Sequence, residues 1–186
     1  MRVISGSARG LKLIAPNNNE IRPTTDRVKE SMFNMISEYI YDCEALDLFS
    51  GSGALGIECL SRGAKMVYFC DKSKDSIKIT SDNIKKSKLE DKSVVIKDDY
   101  RAALKKMHLL KKKFDVIFVD PPYYKGLFDD VLRAIIEFEL LDNDGIIVVE
   151  HDSEIELADL DCLSKYKEKK YGMVMLTVLK MEEKNE

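Results

Sequence analysis

Hydrophobic and polar positions follow a regular order from residue 45 onwards, in which short apolar runs alternate with longer amphipathic stretches. The apolar runs predict strands at 45–50, 66–71, 93–98, 114–120 and 145–150. The stretches between them predict helices at 54–63, 73–89, 100–110 and near 127–138. Strands and helices that alternate at this spacing form βαβ units, so the pattern predicts a parallel sheet covered by helices on both faces.

The two ends of the chain depart from this order. Near the C-terminus, "KYKEKKYG" and "MVMLTVLKM" can pair across Gly172 as an antiparallel hairpin at one sheet edge. At the N-terminus, two apolar stretches around Gly6 and Gly10 predict a small β-hairpin that carries Arg9 at its tip. The sequence therefore predicts an α/β, Rossmann-like domain at 21–186 with a seven-stranded, mostly parallel sheet, preceded by a basic hairpin extension at 1–20.

A further amphipathic helix is predicted before the first strand, in "DRVKESMFNMISEYI". Thr25 or Asp26 can cap its start. Its apolar positions share one helical face, which we interpret as core packing against the sheet: Val28, Met32, Met35, Ile36 and Tyr39.

Composition and charge narrow the class of protein. The chain has 186 residues, of which 45% are hydrophobic and 34% charged, as expected of one folded domain. No apolar run approaches a membrane span or a signal peptide, so we expect a cytoplasmic protein with no membrane contact. The net charge is −3, yet residues 1–19 hold three basic and no acidic residues, while residues 150–161 hold six acids. An anionic partner should therefore meet the N-terminal part.

A glycine-rich loop follows the first predicted strand. Gly51, Gly53 and Gly56 satisfy G-x-G-x-x-G between a strand and a helix, where glycine lets a ligand approach the backbone. Asp71 ends the second strand twenty residues after Gly51, where a carboxylate can accept hydrogen bonds from ribose hydroxyls. The chain is therefore predicted to bind an adenosine-type cofactor.

Acidic residues around this loop indicate which cofactor. Both NAD and S-adenosylmethionine can use such a frame, but Asp47, at the end of the first strand, would repel a pyrophosphate. A carboxylate there suits the ammonium group of a methionine tail, and Asp98 or Asp99 could accept from an adenine amine. The acids favour S-adenosylmethionine.

The fourth strand ends in Asp120-Pro121-Pro122-Tyr123. Ligands of parallel sheets lie beyond the carboxyl ends of the strands, so Asp120 is expected in the same crevice as the glycine loop. The Asp120 carboxylate and the Pro121 carbonyl could accept hydrogen bonds from the two N–H groups of an exocyclic amine, and the prolines would fix that geometry. Tyr123, or else Tyr124, could stack on a nucleobase. The motif is thus predicted to hold an amino group beside a methyl donor.

These motifs carry a resemblance to a known family. "DLFSGSGALGIECLSRGA" with "DPPY" resembles class I methyltransferases that act on an exocyclic amine. With "SGSARGLKL" and "RPTTDRVKESMFN", the sequence resembles the RsmD family of bacterial small-subunit ribosomal RNA guanine-N2 methyltransferases along nearly the whole chain. The resemblance implies a class I methyltransferase that methylates the N2 amine of a guanine in 16S rRNA, with S-adenosylmethionine as cofactor and the small-subunit RNA as partner.

The expected site residues follow from the motifs and the resemblance together. Catalytic residues are expected at Asp120, Pro121, Pro122 and Tyr123. Cofactor-binding residues are expected at Asp47, Phe49, Gly51, Gly53, Asp71, Lys72 and Asp99. RNA-binding residues are expected at Arg2, Arg9, Lys12, Arg22, Thr24, Arg27 and Lys125. All but Lys125, which lies just past the Asp-Pro-Pro-Tyr motif, fall within a basic patch at residues 1–29 that also includes Lys29.

Several alternatives remain at the level of the sequence. Asp-Pro-Pro-Tyr also suits a DNA adenine-N6 methyltransferase, although no separate target-recognition domain is evident. An NAD-linked oxidoreductase and an RNA-binding module with a vestigial pocket are weaker alternatives. The choice of guanine rests on the family resemblance. His108 and His151 are isolated, so no metal site is expected. A monomer is expected.

Overall fold

The computed structural model describes residues 1–16, 25–122 and 127–182. Within these ranges the α-helices are α1 (Asp26–Met35), α2 (Ala54–Ser61), α3 (Lys74–Ser87), α4 (Tyr100–Leu109) and α5 (Leu127–Glu137). The strands are β1 (Glu44–Asp47), β2 (Met66–Asp71), β3 (Ser93–Lys97), β4 (Phe114–Val119), β5 (Leu141–Asp152), β6 (Leu163–Tyr171) and β7 (Val174–Met181).

The seven strands form one sheet in the order β3-β2-β1-β4-β5-β7-β6. The pairs from β3 to β5 are parallel, whereas β7 runs antiparallel to both β5 and β6. The predicted α/β fold with a C-terminal antiparallel hairpin is confirmed. The order of the strands reverses between β1 and β4, and open α/β sheets bind ligands at such a switch point.

Helices cover both faces of the sheet, as predicted. Side chains of β4 alternate between the faces, with Val116 and Phe118 in one apolar cluster and Ile117 and Val119 in the other. The first cluster includes apolar residues of α1 and α2, and the second those of α4 and α5. No helix in the described ranges has the length and apolar character to cross a membrane.

The start of the chain forms less regular structure than predicted. Thr25 caps α1 by accepting a hydrogen bond from the Val28 N–H at 3.3 Å. The helix ends at Met35 and a 3₁₀ turn, Ser37–Tyr39, follows, because the chain must turn into β1. The predicted N-terminal hairpin forms as a short antiparallel pairing, with a bridge between Arg2 and Lys12 and backbone hydrogen bonds from the Val3 and Leu13 N–H groups to the Leu11 and Met1 carbonyls.

Candidate active site

Acidic side chains at the end of β1, directly after β4 and within β5 lie on the same face of the sheet. Asp47 pairs with Phe118, and Asp120 lies two residues further along, so both side chains point to one side. Val119 pairs with Val149, so the next residues along the two chains, Asp120 and Glu150, lie side by side at the same edge. The register thus brings three carboxyl groups together where the fold predicts a ligand crevice.

Burial and the charges of neighbouring acids raise the pKa of Asp47 and of Asp120. Burial raises the pKa of Asp47 to about 7, opposed by the hydrogen bond from the Gly56 N–H and assisted by the charge of Asp71. Burial also raises the pKa of Asp120 well above its usual range, and the charges of Glu150 and Asp47 raise it further. Such a cluster favours a cationic ligand, because a positive charge would stabilise the ionised carboxylates.

The glycine loop follows β1 at the same edge of the sheet. Gly51 and Gly53 adopt φ angles of 53° and 76°, a region that favours glycine. Gly53 is the N-cap of α2, and at Gly56 a Cβ would collide with the Phe69 ring. The loop therefore needs glycine both for its turn and for the close packing of α2 on β2.

Asp71 holds this loop in place. Its Oδ2 accepts a hydrogen bond from the Gly51 N–H at 3.0 Å, and its Oδ1 accepts one from the Ser73 N–H at 2.8 Å. Each carboxylate oxygen can accept a second hydrogen bond. Asp71 can therefore order the loop and still accept a ribose hydroxyl, whereas the sequence indicated the ribose role alone.

The end of β3 distinguishes between its two acids. Asp98 forms an ion pair with Lys106 at 2.6 Å, and this hydrogen bond lowers the pKa of Asp98. Asp99 is the N-cap of α4 and uses Oδ1 to accept from the Arg101 and Ala102 N–H groups. Asp99 is thus better placed than Asp98 to offer an oxygen to an adenine amine.

Other expected cofactor residues lie around this edge. The Phe49 and Tyr100 rings contact each other with centroids 5.9 Å apart. Tyr100, at the start of α4, thus packs against the loop that follows β1. Lys72 is exposed directly after β2.

Part of the predicted site lies outside the described residues. Pro121 is buried and Pro122 is exposed at the end of β4. Tyr123 and Lys125 follow them outside the described ranges, as do Arg22 and Thr24 near the N-terminus. Their roles remain predictions.

The expected RNA-binding positions differ in their surroundings. Arg9, Lys12 and Arg27 are exposed, and Arg2 is exposed in an ion pair with Asp26 at 2.8 Å. The inclusion of Lys29 in the basic patch is wrong: its side chain is 1% exposed.

Lys29 is buried because it neutralises a buried carboxylate. Its Nζ lies 3.3 Å from the Glu58 carboxylate and donates to the Arg2 carbonyl. Glu58 lies on α2, twenty-nine positions away in sequence. Periodicity within α1 could not reveal this partner.

Glu150 is the residue at this edge that sequence reasoning missed. It is 3% exposed and lies next to Asp120, whose pKa it raises. The available signal was an acid at the end of the apolar run "GIIVVE", in register with the end of β4. Among the described residues, no group of three or more His, Cys, Asp or Glu side chains could hold a metal ion.

The strand order, the glycine loop and the strand-end carboxylates are those of a class I methyltransferase fold. The model of the family described as "Conserved hypothetical protein 95" matches residues 1–180. The chain belongs to this family, the RsmD family.

Individual relatives are similar to this chain along almost its whole length. The Bacillus subtilis protein YlbH is 41% identical over 181 residues, which is 97% of this chain and 98% of that protein. Ribosomal RNA small subunit methyltransferase D of Haemophilus influenzae is 34% identical over 94% of this chain and 90% of its own length. The solved structure of Escherichia coli yhhF superposes with a TM-score of 0.86 at 28% identity, covering 99% of each chain.

Proposed function

We propose that this protein transfers a methyl group from S-adenosylmethionine to the exocyclic N2 amine of a guanine in small-subunit ribosomal RNA. The observation that carries the proposal is Asp120, which lies directly before two prolines at the edge that also holds Asp47 and the glycine loop. Relatives named ribosomal RNA small subunit methyltransferase D support the RNA class of substrate. A cytoplasmic monomer is the simplest form for this activity.

The acids of the site fit the charge of S-adenosylmethionine. Asp47 would bind the ammonium group, Asp71 the ribose hydroxyls and Asp99 the adenine amine, with Phe49 and Lys72 beside them. When bound, the cofactor supplies an electrophilic methyl group on a cationic sulfur. Asp47, with a pKa of about 7, would release its proton when it pairs with the ammonium group.

Asp120 and the Pro121 carbonyl would orient the amine. By accepting hydrogen bonds from its two N–H groups, they would turn the nitrogen lone pair towards the methyl group. The prolines would keep the Pro121 carbonyl in the orientation that this hydrogen bond needs. Tyr123 would stack on the guanine ring. The nitrogen that gains the methyl group must lose one proton. The ionised Asp120 carboxylate, hydrogen-bonded to the amine, would accept it, and its raised pKa makes it a stronger base than an ordinary carboxylate.

The N-terminal segment, residues 1–20, would bring the RNA to this crevice. It supplies exposed Arg9 and Lys12, and Arg27 follows at the start of α1. Arg2, Arg22, Thr24 and Lys125 complete the proposed RNA-binding set. Contacts with phosphates should make RNA affinity fall with salt, by a slope of about −0.7 to −0.9 per contact.

A methylation assay with purified protein tests the proposal. The protein is incubated with isotopically labelled S-adenosylmethionine and either naked small-subunit RNA or assembled small subunits. Labelled nucleosides are then identified by mass spectrometry and mapped. We expect N2-methylguanosine at a single position. Label in N6-methyladenine of added DNA and none in RNA would instead support the adenine alternative and contradict the proposal.

A further inference from the structure

The N-terminal segment runs alongside α2, and its turn lies away from the crevice. Met1 Sδ is 3.5 Å from the Ser52 hydroxyl in the glycine loop, whereas the Ser7 N–H donates to the Ser61 carbonyl at the far end of α2. Because α2 has 8 residues, these two contacts are separated by about 12 Å. Arg9, next to the turn, therefore lies about one helix length from the cofactor loop.

Buried groups on α2 fix the turn in this position. The Glu58 carboxylate accepts hydrogen bonds from the Ile4 and Ser5 N–H groups at 2.7 and 3.0 Å. The Ser61 hydroxyl accepts one from the Ala8 N–H at 2.9 Å and donates to the Ser5 carbonyl. Residues 4–8 are thus held against α2, and Arg9 directly follows them.

A basic cleft lies where this turn meets the C-terminal end of α3. The cleft has a volume of about 230 Å³ and is lined by Ser7, Ala8, Arg9, Leu11, Lys86, Ser87 and Lys88. Three of these seven residues are cationic and none is acidic. Asp82 and Glu90, the acids nearest in sequence to the two lysines, do not line it.

Contacts between the two segments hold the cleft together. Lys86 Nζ donates to the Lys12 carbonyl at 2.6 Å and so links α3 to the N-terminal segment. Asn83 joins the same elements by a pair of hydrogen bonds with the backbone of Ile14, at 2.7 and 3.0 Å. Arg9 and Lys88 remain exposed on either side.

We propose that this cleft binds backbone phosphates of the RNA substrate at a distance from the methylated guanine. The inference rests on the proposed function and adds a second contact region, formed by Arg9, Lys86 and Lys88. A phosphate ester is the ligand that clustered cations of both Arg and Lys type would bind in a protein that acts on RNA. At about 3.4 Å of duplex per nucleotide, a separation of about 12 Å or more corresponds to four or more nucleotides from the target.

The distance makes the proposal testable with RNAs of different length. Lys86 and Lys88 are changed together to Gln, and the control variant changes Lys105 and Lys113 to Gln. The control removes the same charge from exposed positions on and after α4, which covers the opposite face. Binding is measured across a salt series, with an RNA fragment that extends at least ten nucleotides on both sides of the mapped guanine and with one trimmed to two.

We expect the K86Q/K88Q variant to bind the long RNA several-fold more weakly. Its slope of log K against log salt should be flatter by about 1.5, because two phosphate contacts are lost. Binding of the trimmed RNA and of S-adenosylmethionine should match the control variant. Equal losses on both RNAs, or no loss on the long RNA, would overturn the proposal. Failure of the unchanged protein to methylate any RNA guanine would instead refute the proposed function.

Discussion

Asp47 is 3% exposed, and in the proposed function it binds the ammonium group of the cofactor. Its Oδ2 accepts a hydrogen bond from the Gly56 N–H at 2.9 Å, which alone does not replace the water lost on burial. A carboxyl group with a raised pKa stabilises the fold only while it is protonated. When ionised, Asp47 therefore destabilises the free protein, and a bound cation would offset that loss.

This exchange predicts the pH dependence of Asp47→Asn. In the free protein the pKa of Asp47 is about 7 against an ordinary 3.8, so its contribution to stability is full below about pH 4 and is lost as the pH rises to about 7. A shift of about 3 units corresponds to a loss of about 4 kcal/mol. Asn keeps the size and an acceptor for Gly56 but does not titrate. The free energy of unfolding in urea should fall less between pH 5 and pH 8 for the variant than for the unchanged protein. The variant should also bind the cofactor more weakly. Parallel pH profiles would contradict the account of Asp47.

Asp120 and Glu150 form a second pair whose charges interact. Asp120 must be ionised to accept the hydrogen bonds of an amine, and Glu150 raises its pKa. Glu150→Gln removes one negative charge, so the pKa of Asp120 should fall and the acidic limb of kcat should move to lower pH. Asp120→Ala removes the acceptor, so it should abolish turnover and leave the cofactor's dissociation constant within a few-fold, since the lost interaction acts on the amine. An unchanged acidic limb in Glu150→Gln would show that the pair is not coupled during turnover.

At the scale of elements, the sequence predicted most helices and strands because their periods are local properties. β4 was expected at 114–120 and ends at Val119, and α5 was expected near 127–138 and spans Leu127–Glu137. β5 is longer than expected because Leu141 already pairs with Phe114, before a register shift over the polar residues that precede Gly145, and because its far end pairs with β7 as far as Asp152. Such pairing depends on a neighbouring strand and leaves no periodic signal.

The N-terminal segment shows the same limit more strongly. The expected hairpin is short, and the backbone N–H groups of Ile4, Ser5 and Ala8 around its turn bond to Glu58 and Ser61 on α2. The contact that buries Lys29 and the cleft that includes Lys86 both join residues distant in sequence. Composition could locate a basic region, but only the fold could show which cations face solvent.

The anchoring of this segment by Glu58 gives a prediction about stability. Glu58 is fully buried, and it pairs with Lys29 at 3.3 Å and with Arg62 at 2.8 Å. Glu58→Ala would leave the Lys29 ammonium buried without its partner, which should cost about 3–5 kcal/mol of unfolding free energy. Arg62→Ala serves as the control, because Arg62 is 16% exposed and its loss keeps the Lys29 pair. Equal costs in urea unfolding would show that the Lys29–Glu58 pair does not anchor the segment.

For the whole molecule, the distribution of charge agrees with a route for RNA across one side of the protein. The net charge is −3, so attraction to an anion must be local. The crevice at the carboxyl edge and the basic cleft at the end of α3 lie at opposite ends of α2, and the N-terminal segment connects them. One RNA could thus present a base to Asp120 while its backbone contacts the cleft.

Analysis of ribosomal RNA from the organism that carries this chain tests the central claim most directly. Small-subunit RNA is compared by nucleoside mass spectrometry and mapping in three strains: one that lacks the chain, one complemented with the unchanged chain, and one complemented with Asp120→Ala. The account predicts that one N2-methylguanosine disappears in the first strain, returns in the second and stays absent in the third. An N2-methylguanosine content that is the same in all three would contradict it.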